Sequence, residues 1–361
     1  MRGQFATLQG IQPVAGDPAA TRSLIQAEID AAARMEPAGT VGLGAGLFEI
    51  DAQLMVTNGV TLVGRGWELT TIRQTANARC ATVSGGAKLQ GLTLAGGRIR
   101  EKWQSGAGVL VENGTVSWCC ITNNRIGDAS WQGIVVNNNS GAGAHVKQGS
   151  VDHTIFACNT AYANGGGSSH GGGLGVESPT GPILVDTCLF HGNRAPNGNG
   201  GAVYAQFQNN HHLLTVRNTT VSTNEASGSG GGVYVSQNGT AADFALVDAI
   251  LADNVSGGEG ADPNLSLPAA LLPAYAAQSF GNVFANATPA LGEGSKSFAG
   301  SGWNWFVKAS RGNFRLQSGS PPVGSGRWFE GIAEDLDGLR RLKKPAAGCY
   351  ETQFCTIMVL R

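Results

Sequence analysis

Between Val116 and Asp262 the chain repeats one pattern of apolar and polar positions five times. Each repeat has a short apolar run, an Asn, a Gly-rich turn and a second apolar run. The Asn residues stand 30 to 36 residues apart, a spacing typical of stacked units that share one continuous core. The five repeats contain Asn123, Asn159, Asn193, Asn224 and Asn254.

The apolar runs have the length and composition of strands and show no helical period. Strands stacked with one turn of chain per repeat predict an all-β fold, a single-stranded right-handed parallel β-helix. The recurring Asn predicts a ladder in which each side-chain amide bonds the Asn of the next coil, at a turn where its backbone is left-handed.

Two motifs of the repeats are similar to those of known surface proteins. Phe156–Asn159 and Gly200–Tyr204 resemble the FxxN and GGA(I/V) motifs of bacterial polymorphic outer-membrane protein repeats. That resemblance implies a β-helix and a cell-surface context.

Residues 1–36 are predicted to hold an N-terminal segment and a capping helix. Asp17-Pro18 is a typical helix start, an N-cap followed by Pro at the first helical position. Leu24, Ile25 and Ile29 continue an amphipathic helix to about residue 35, and we expect all three to face the core. Because a solenoid needs a cover over its first coil, this helix is the predicted cap.

The next segments resemble the beginning of pectate-lyase-like β-helices. Gly39–Ile50 has the form Gly-Thr-Val…Gly-x-Phe-x-Ile, and Asn58–Gly66 contains Gly-Val-Thr-Leu-x-Gly-x-Gly. That superfamily contains polysaccharide lyases, glycoside hydrolases and phage tailspikes, so the resemblance implies a carbohydrate-active β-helix. We assign residues 37–264 to its coils.

Residues 265–361 lose the repeat and are predicted to form irregular coils and a C-terminal cap. Ser318–Gly324, Asp335–Arg341 and Pro345–Glu351 resemble the end of secreted β-helix proteins with a choice-of-anchor domain. We interpret the Asp, Gly and Arg of this region as a turn and an ion pair. Residues 352–361 have no assigned role.

Charge and composition narrow the class of partner. Charged residues make up 14% of the chain and the formal net charge is −1, which disfavours nucleic acid and suits a polysaccharide. No apolar run reaches the length of a membrane span. No signal peptide is recognisable at Met1, so a secreted or cell-surface location is inferred from the architecture. The oligomeric state is expected to be a monomer or a homotrimer.

The cysteines and histidines show no metal-binding spacing, so a zinc site is not expected. Cys158 and Cys188 occupy neighbouring places in successive repeats. We expect both to be buried apolar side chains, with a disulfide as the alternative.

A column of ionisable residues is the main candidate for chemistry. Asp152, Asp186 and Arg217 stand seven positions before successive Asn residues, and His153 follows Asp152. Equivalent residues of adjacent coils lie about 4.8 Å apart, so two carboxylates there need a cation, a proton or a guanidinium beside them.

This column fits three interpretations. A retaining glycosidase uses two carboxyls about 5–5.5 Å apart. A polysaccharide lyase uses cations, here calcium on Asp152 and Asp186 as a candidate cofactor, with Arg217 or His153 removing the C5 proton of the sugar. The third interpretation is a surface ion pair that contributes little.

A second column follows the Gly-Gly turns. Glu177 and Gln206 share one position, and Tyr204 and Tyr234 share another on the same face. Stacked exposed tyrosines suit sugar rings, whose C–H groups pack on aromatic faces. We expect these four residues to bind substrate; the alternative is an aromatic ladder that only stiffens the solenoid.

Together these features predict a polysaccharide lyase, with a glycoside hydrolase as the second chemistry. The alternative is a non-catalytic glycan-binding adhesin, favoured by the surface-protein-type repeats and the low charge. An enzyme requires ionisable groups that converge in a groove, whereas an adhesin requires a flat polar face. The charge run Arg98–Trp103 is predicted to be either a solvated loop or one wall of such a groove.

Overall fold

A computed structural model describes residues 10–131, 133–208, 211–238, 241–258, 262–286, 288–328 and 333–352. Within them, the chain passes repeatedly through four sheets, which we number 1 to 4 in the order in which each coil passes through them. Sheet 3 begins only at Arg98, so the first coils pass through sheets 1, 2 and 4. Every strand of these sheets pairs in parallel with the strand one coil away. The predicted parallel β-helix is therefore confirmed.

The strands of the sheets are short. Sheet 1 consists of Thr40–Gly42, Thr61–Val63, Ala87–Gln90, Gly114–Ser117, Gly149–Asp152, Ile183–Asp186, Leu214–Arg217 and Phe244–Val247. Sheet 2 consists of Gly46–Ile50, Thr70–Gln74, Thr93–Ala95, Cys120–Thr122, Ile155–Ala157, Leu189–His191, Thr220–Ser222, Ile250–Ala252, Val283–Phe284 and Lys296–Ser297. Sheet 3 consists of Arg98–Ile99, Arg125–Ile126, Thr160–Ala161, Arg194–Ala195, Glu225–Ala226 and Val255–Ser256. Sheet 4 consists of Leu54–Val56, Ala81–Val83, Val109–Val111, Ala144–Val146, Leu174–Glu177, Val203–Phe207, Val233–Gln237 and Leu265–Ser266.

Smaller elements complete the chain. Asn139–Ser140 pairs in parallel with Ser169–His170, and Phe306–Lys308 pairs antiparallel with Asn313–Leu316. The helical segments are Pro18–Ala32, Ala269–Leu271, Leu272–Gln278, Trp303–Trp305 and Ala309–Arg311. No helix of the described residues combines the length and apolar character that crossing a bilayer requires.

The core forms because alternate strand residues turn into the solenoid and meet the equivalent residues of the next coil. Val109, Ala144, Leu174 and Val203 stack in this way along sheet 4 and are fully buried. Aromatic side chains obey the same register, as in Phe156 and Phe190, whose parallel rings lie 4.5 Å apart. Every coil therefore completes the apolar surface of its neighbours.

The N-terminal helix, Pro18–Ala32, covers the first coil as predicted. Asp17 caps it, since its Oδ1 accepts a hydrogen bond from Ala20 N at 2.8 Å. Ile25 and Ile29 are buried, but the expectation for Leu24 is wrong: its side chain is 41% exposed. Thr21, one turn before Ile25, takes the inward place instead, because residues i and i+4 share a helix face.

The predicted Asn ladder is confirmed, with two corrections. Nδ2 of Asn159 donates to Oδ1 of Asn193 at 2.9 Å, and Nδ2 of Asn193 donates to Oδ1 of Asn224 at 2.9 Å. In the first repeat the ladder residue is Asn124, whose Nδ2 donates to Asn159 Oδ1, and not Asn123. The ladder also continues to Asn264, which accepts from Asn254.

The second correction concerns the left-handed turn. From Asn124 to Asn254 the residue before the ladder Asn, and not the ladder Asn itself, has positive φ; Asn123 has φ 55° and Cys158 has φ 56°. This turn position points outward, so Cys158 is exposed and the expectation that it is buried is wrong, whereas Cys188 is buried as predicted. Cys355 lies outside the described residues.

Much of the C-terminal region packs along the side of the solenoid. Its apolar residues cover the outer face of sheet 2, where they meet Leu189, Ile250 and Ala252. Hydrogen bonds also join the surfaces: for example, Gly348 N donates to Asp248 O at 2.7 Å, and Cys349 N donates to Thr220 Oγ1 at 3.2 Å. The covering residues are Trp305, Phe306, Phe314, Leu316, Leu336, Ala347 and Tyr350.

Polar groups hold this segment in shape. Asp335 is buried and its Oδ1 accepts from the backbone of Asp337 and Leu339. Arg341 forms a buried ion pair with Glu351, N to O 3.1 Å. These contacts match the interpretation of the Asp, Gly and Arg set as a turn and an ion pair.

Candidate functional site

The Asp and Arg column lies on the outer face of sheet 1. Asp152 pairs in register with Asp186, and Asp186 pairs with Arg217. Ser117 precedes them in the same column because it pairs with Asp152. The sequence alignment of the repeats thus placed these side chains on successive rungs correctly.

Asp186 is held by protein donors at both carboxylate oxygens. Arg217 donates from Nε to Oδ2 at 2.9 Å, with its Nη2 2.8 Å from the same oxygen. Asn218 and Thr187 donate to Oδ1 at 3.0 and 3.2 Å. The Asp186 side chain is only 10% exposed, so this ion pair is largely screened from solvent.

Asp152 binds an imidazole instead of a guanidinium. Its Oδ1 accepts from Ser117 Oγ at 2.5 Å and lies 3.1 Å from His153 Nδ1. The His153 ring stacks on Trp118 with centroids 4.1 Å apart, and Trp118 stacks on Trp67 at 6.1 Å. His153 Nε2 is buried with no hydrogen-bond partner among the described residues.

These contacts set conditions on the chemistry of the column. A carboxylate that orients an imidazole is a common arrangement for a general base. A calcium ion at Asp186 would have to displace Arg217, Asn218 or Thr187 from its oxygens. In the described ranges no three His, Cys, Asp or Glu side chains are grouped so that they could hold a metal.

The second column lies on the outer face of sheet 4. Glu177 pairs with Gln206, and Tyr204 pairs with Tyr234. The two tyrosine rings are parallel with centroids 5.6 Å apart. The expectation of an exposed pair is wrong for Tyr204: His170 stacks on its other face at 4.3 Å, leaving 5% of Tyr204 exposed.

His170 covers Tyr204 because the segment Asn139–Ser140 and Ser169–His170 forms a second layer outside sheet 4. Asn199 N donates to His170 Nδ1 at 3.0 Å, so Nε2 carries the proton and donates to Ser168 Oγ at 2.9 Å. Burial lowers the pKa of His170 to about 4, since a buried imidazolium loses its hydration.

The same layer creates a buried polar network that sequence reasoning missed. Ser140 Oγ lies 3.0 Å from His145 Nδ1 and also hydrogen-bonds Glu177. Burial raises the pKa of Glu177, and burial lowers the pKa of His145 to about 3, with the Lys147 and Arg79 charges adding to the latter shift. The strand register could have indicated it, because His145 pairs with Gly175 and Gly175 pairs with Tyr204, so that His145 stands in the same column as the tyrosines.

The two columns do not meet in one site. Asp152, Asp186 and Arg217 belong to sheet 1, whereas Glu177, Tyr204 and Gln206 belong to sheet 4. Within the described residues no hydrogen bond, ion pair or ring contact joins the two groups. A sugar chain bound on sheet 4 would therefore lie on a different face from the Asp and Arg column.

A cleft of about 440 Å³ opens beside the first coils, and the charge run Arg98–Trp103 forms part of its wall. Arg98, Arg100 and Glu101 line it together with Arg79, which comes from the preceding pass of the chain. The groove-wall interpretation therefore holds for Arg98–Glu101, whereas Lys102 and Trp103 are exposed and do not line the cleft. Arg79 was not identified from the sequence, since no motif marks it.

No protein-family model and no curated protein sequence matches the chain. Among solved structures it is similar to pectate lyase Pel9A, with 13% identity, a TM-score of 0.44 and 90% of each chain covered. It is also similar to the A-module of mannuronan C-5 epimerase AlgE4 from Azotobacter vinelandii, with 17% identity, a TM-score of 0.34 and coverage of 77% of this chain and 84% of that one. ORF18 of Geobacillus virus E2 has 11% identity, a TM-score of 0.28 and coverage of 76% and 58%. The fold assignment rests on the strand pairing of the chain itself, which is that of a parallel β-helix.

Proposed function

We propose that the protein is a secreted or cell-surface carbohydrate-active β-helix protein that cleaves a polysaccharide as a lyase. The observation that carries the proposal is a pair of carboxylates that contact basic side chains on successive coils: Asp152 with His153, and Asp186 with Arg217. A lyase needs a base for the C5 proton and a cation beside the uronate carboxylate.

In the proposed reaction His153 accepts the C5 proton at Nε2, while Asp152 holds Nδ1. Arg217 neutralises the sugar carboxylate, so that electron density can build up at C5. The O4 leaving group departs with the electron pair of its C–O bond, and a C4–C5 double bond forms. For this, the imidazole has to move out from Trp118, on which it now stacks.

Non-catalytic glycan binding is the second candidate. It is favoured by the hydrogen bonds that Arg217, Asn218 and Thr187 donate to Asp186, because they occupy both of its carboxylate oxygens. On this alternative Tyr234, the less buried of the stacked tyrosines, would pack against a sugar ring.

The test is a screen of uronate-containing and neutral polysaccharides with the wild-type protein. Ultraviolet absorbance of unsaturated products together with new reducing ends supports the lyase. Reducing ends without that absorbance indicate a hydrolase instead. Binding without cleavage supports the second candidate, and neither binding nor cleavage refutes both.

A further inference from the structure

The cleft beside the first coils carries an unbalanced positive charge. Arg79, Arg98 and Arg100 line it, and Glu101 is the acidic residue among the lining side chains. Oε2 of Glu101 already accepts a hydrogen bond from Gln104 Nε2 at 2.5 Å. None of the three arginines forms an ion pair with any residue that the structure describes.

Arg79 is the most constrained of the three. Its Nη1 donates to Gln53 Oε1 at 3.2 Å and its Nη2 donates to Ser105 O at 3.1 Å, both neutral acceptors. Its Nε is buried without a partner in the described part of the chain. Burial lowers the pKa of Arg79, and the Glu112 charge opposes this only in part. A guanidinium kept partly out of water by neutral neighbours is stabilised when an anion arrives.

Aromatic side chains flank the charge. The guanidinium carbon of Arg100 lies 4.8 Å from the centroid of the Trp131 ring, a cation–π contact that fixes its position. Trp103, adjacent to the lining residue Gln104, is 71% exposed. An exposed indole in the same segment as Arg98 and Arg100 suits a ligand that carries both an apolar sugar face and an acidic group.

The equivalent arginines of the next coils are neutralised. Arg98 pairs in register with Arg125 on sheet 3, and Arg125 forms an ion pair with Asp128. Two coils further on, Arg194 is paired with Glu225. The positive charge is therefore concentrated at the cleft and does not continue as a basic stripe along the solenoid.

From this geometry we propose that the cleft is an anion-binding subsite that holds a carboxylate or sulfate group of an acidic polysaccharide. That the anionic group belongs to a polysaccharide rests on the proposed function. That the cleft binds an anion rests on the residues of the cleft alone. The subsite is separate from the Asp152 and Arg217 column, because its residues lie around sheets 3 and 4 of the first coils.

Affinity electrophoresis in native gels tests this with three embedded polymers: polygalacturonate, dextran sulfate and unmodified dextran. The wild-type protein should be retarded by one or both acidic polymers and not by dextran. Retardation by polygalacturonate alone assigns a carboxylate, and retardation by dextran sulfate alone assigns a sulfate. Raised salt should weaken the binding.

Two cleft variants are compared with the wild-type protein for polymer binding. Arg79→Gln, and separately the exposed double variant Arg98→Gln/Arg100→Gln, should each weaken binding about tenfold or more, because each removes charge-assisted contacts. The double variant keeps the test valid if Arg79→Gln does not fold. Arg194→Gln is the matched control, since it removes an arginine of the same sheet outside the cleft and should change binding little.

Equal binding by wild-type protein and cleft variants, or equal retardation by dextran, overturns the proposal. Cleft-dependent binding of a polymer that is never cleaved refutes the lyase and leaves the subsite standing. Cleavage that persists in both cleft variants with unchanged affinity refutes the subsite and leaves the lyase standing.

Discussion

The side-chain amide of Gln26 makes two hydrogen bonds with the backbone of Met55. Met55 N donates to Gln26 Oε1 at 2.9 Å, and Gln26 Nε2 donates to Met55 O at 3.1 Å. Met55 lies in the first strand of sheet 4, whose other side pairs with Ala81–Val83. The capping helix thus supplies, through one side chain, the hydrogen bonds that a further strand would make.

Gln26→Leu should destabilise the protein by about 1–2 kcal/mol, because both backbone groups of Met55 lose their partner. It should also promote association, since an open strand edge can pair with another chain. Urea denaturation and light scattering measure the two effects. Glu28→Ala, at an exposed position of the same helix, is the control; equal stability of the two variants would contradict this role of Gln26.

Asn193→Leu should cost about 3 kcal/mol or more. It removes the acceptor for Asn159 Nδ2 and the donor for Phe156 O, and both of these groups are buried. Thermal or chemical unfolding gives the difference. Asn123→Gly is the control, because Asn123 is an exposed turn residue with positive φ that Gly adopts freely. A loss for Asn123→Gly as large as for Asn193→Leu would show that the ladder bonds are not the cause.

The contribution of His145 to the stability of the protein should fall as the pH drops from about 6.5 towards 4. His145 takes up a proton near pH 6.5 when unfolded but only near pH 3 when folded, so acid favours the unfolded chain. At pH 4 this loss is about 3 kcal/mol relative to neutral pH. His170, with its pKa lowered to about 4, acts in the same direction.

His145→Gln isolates that contribution. The variant should be less stable than wild type at neutral pH, but its free energy of unfolding should decline less between pH 6.5 and 4. Burial raises the pKa of Asp248 to about 6, which has the opposite effect on stability, but it is present in both proteins and cancels. Parallel curves for wild type and His145→Gln would refute the assignment.

On the lyase proposal, His153→Gln and Arg217→Ala should each reduce turnover by a factor on the order of 10²–10⁴, the usual effect of losing a proton-transfer or charge-stabilising group. Asp186→Asn should do the same indirectly, by releasing Arg217. The ion pair is largely buried, so Asp186→Asn should also cost about 1–3 kcal/mol of stability. Arg194→Gln breaks an exposed pair elsewhere and is the control for both measurements.

Full turnover in His153→Gln and Arg217→Ala on the identified polymer would exclude the column as the active site. Tyr234→Ala then becomes the informative variant. Loss of glycan binding in this variant, with no cleavage by wild type, would establish sheet 4 as a binding face. Tyr204→Ala is unsuitable for this comparison, because Tyr204 is buried between His170 and Tyr234 and its removal leaves a cavity.

The sequence alone determined the coil, its register and the residues that share a rung. Strand length, apolar alternation and the repeat spacing are local properties, and in a solenoid each coil meets only its neighbours. For this reason Asp152, Asp186 and Arg217, and likewise Tyr204 and Tyr234, could be aligned from the repeats. The doubled Asn123 and Asn124 misled the alignment in the first repeat, since both residue identities fit the ladder.

Tertiary structure decided what covers each face. Whether Leu24 or Thr21 faces inward depends on how the helix rests on the first coil, and whether Tyr204 is open depends on the layer that carries His170. The C-terminal residues cover sheet 2, and Arg79 meets Arg98 and Arg100 in one cleft. Loops that leave the repeat make these contacts, and no period in the sequence specifies where such loops return.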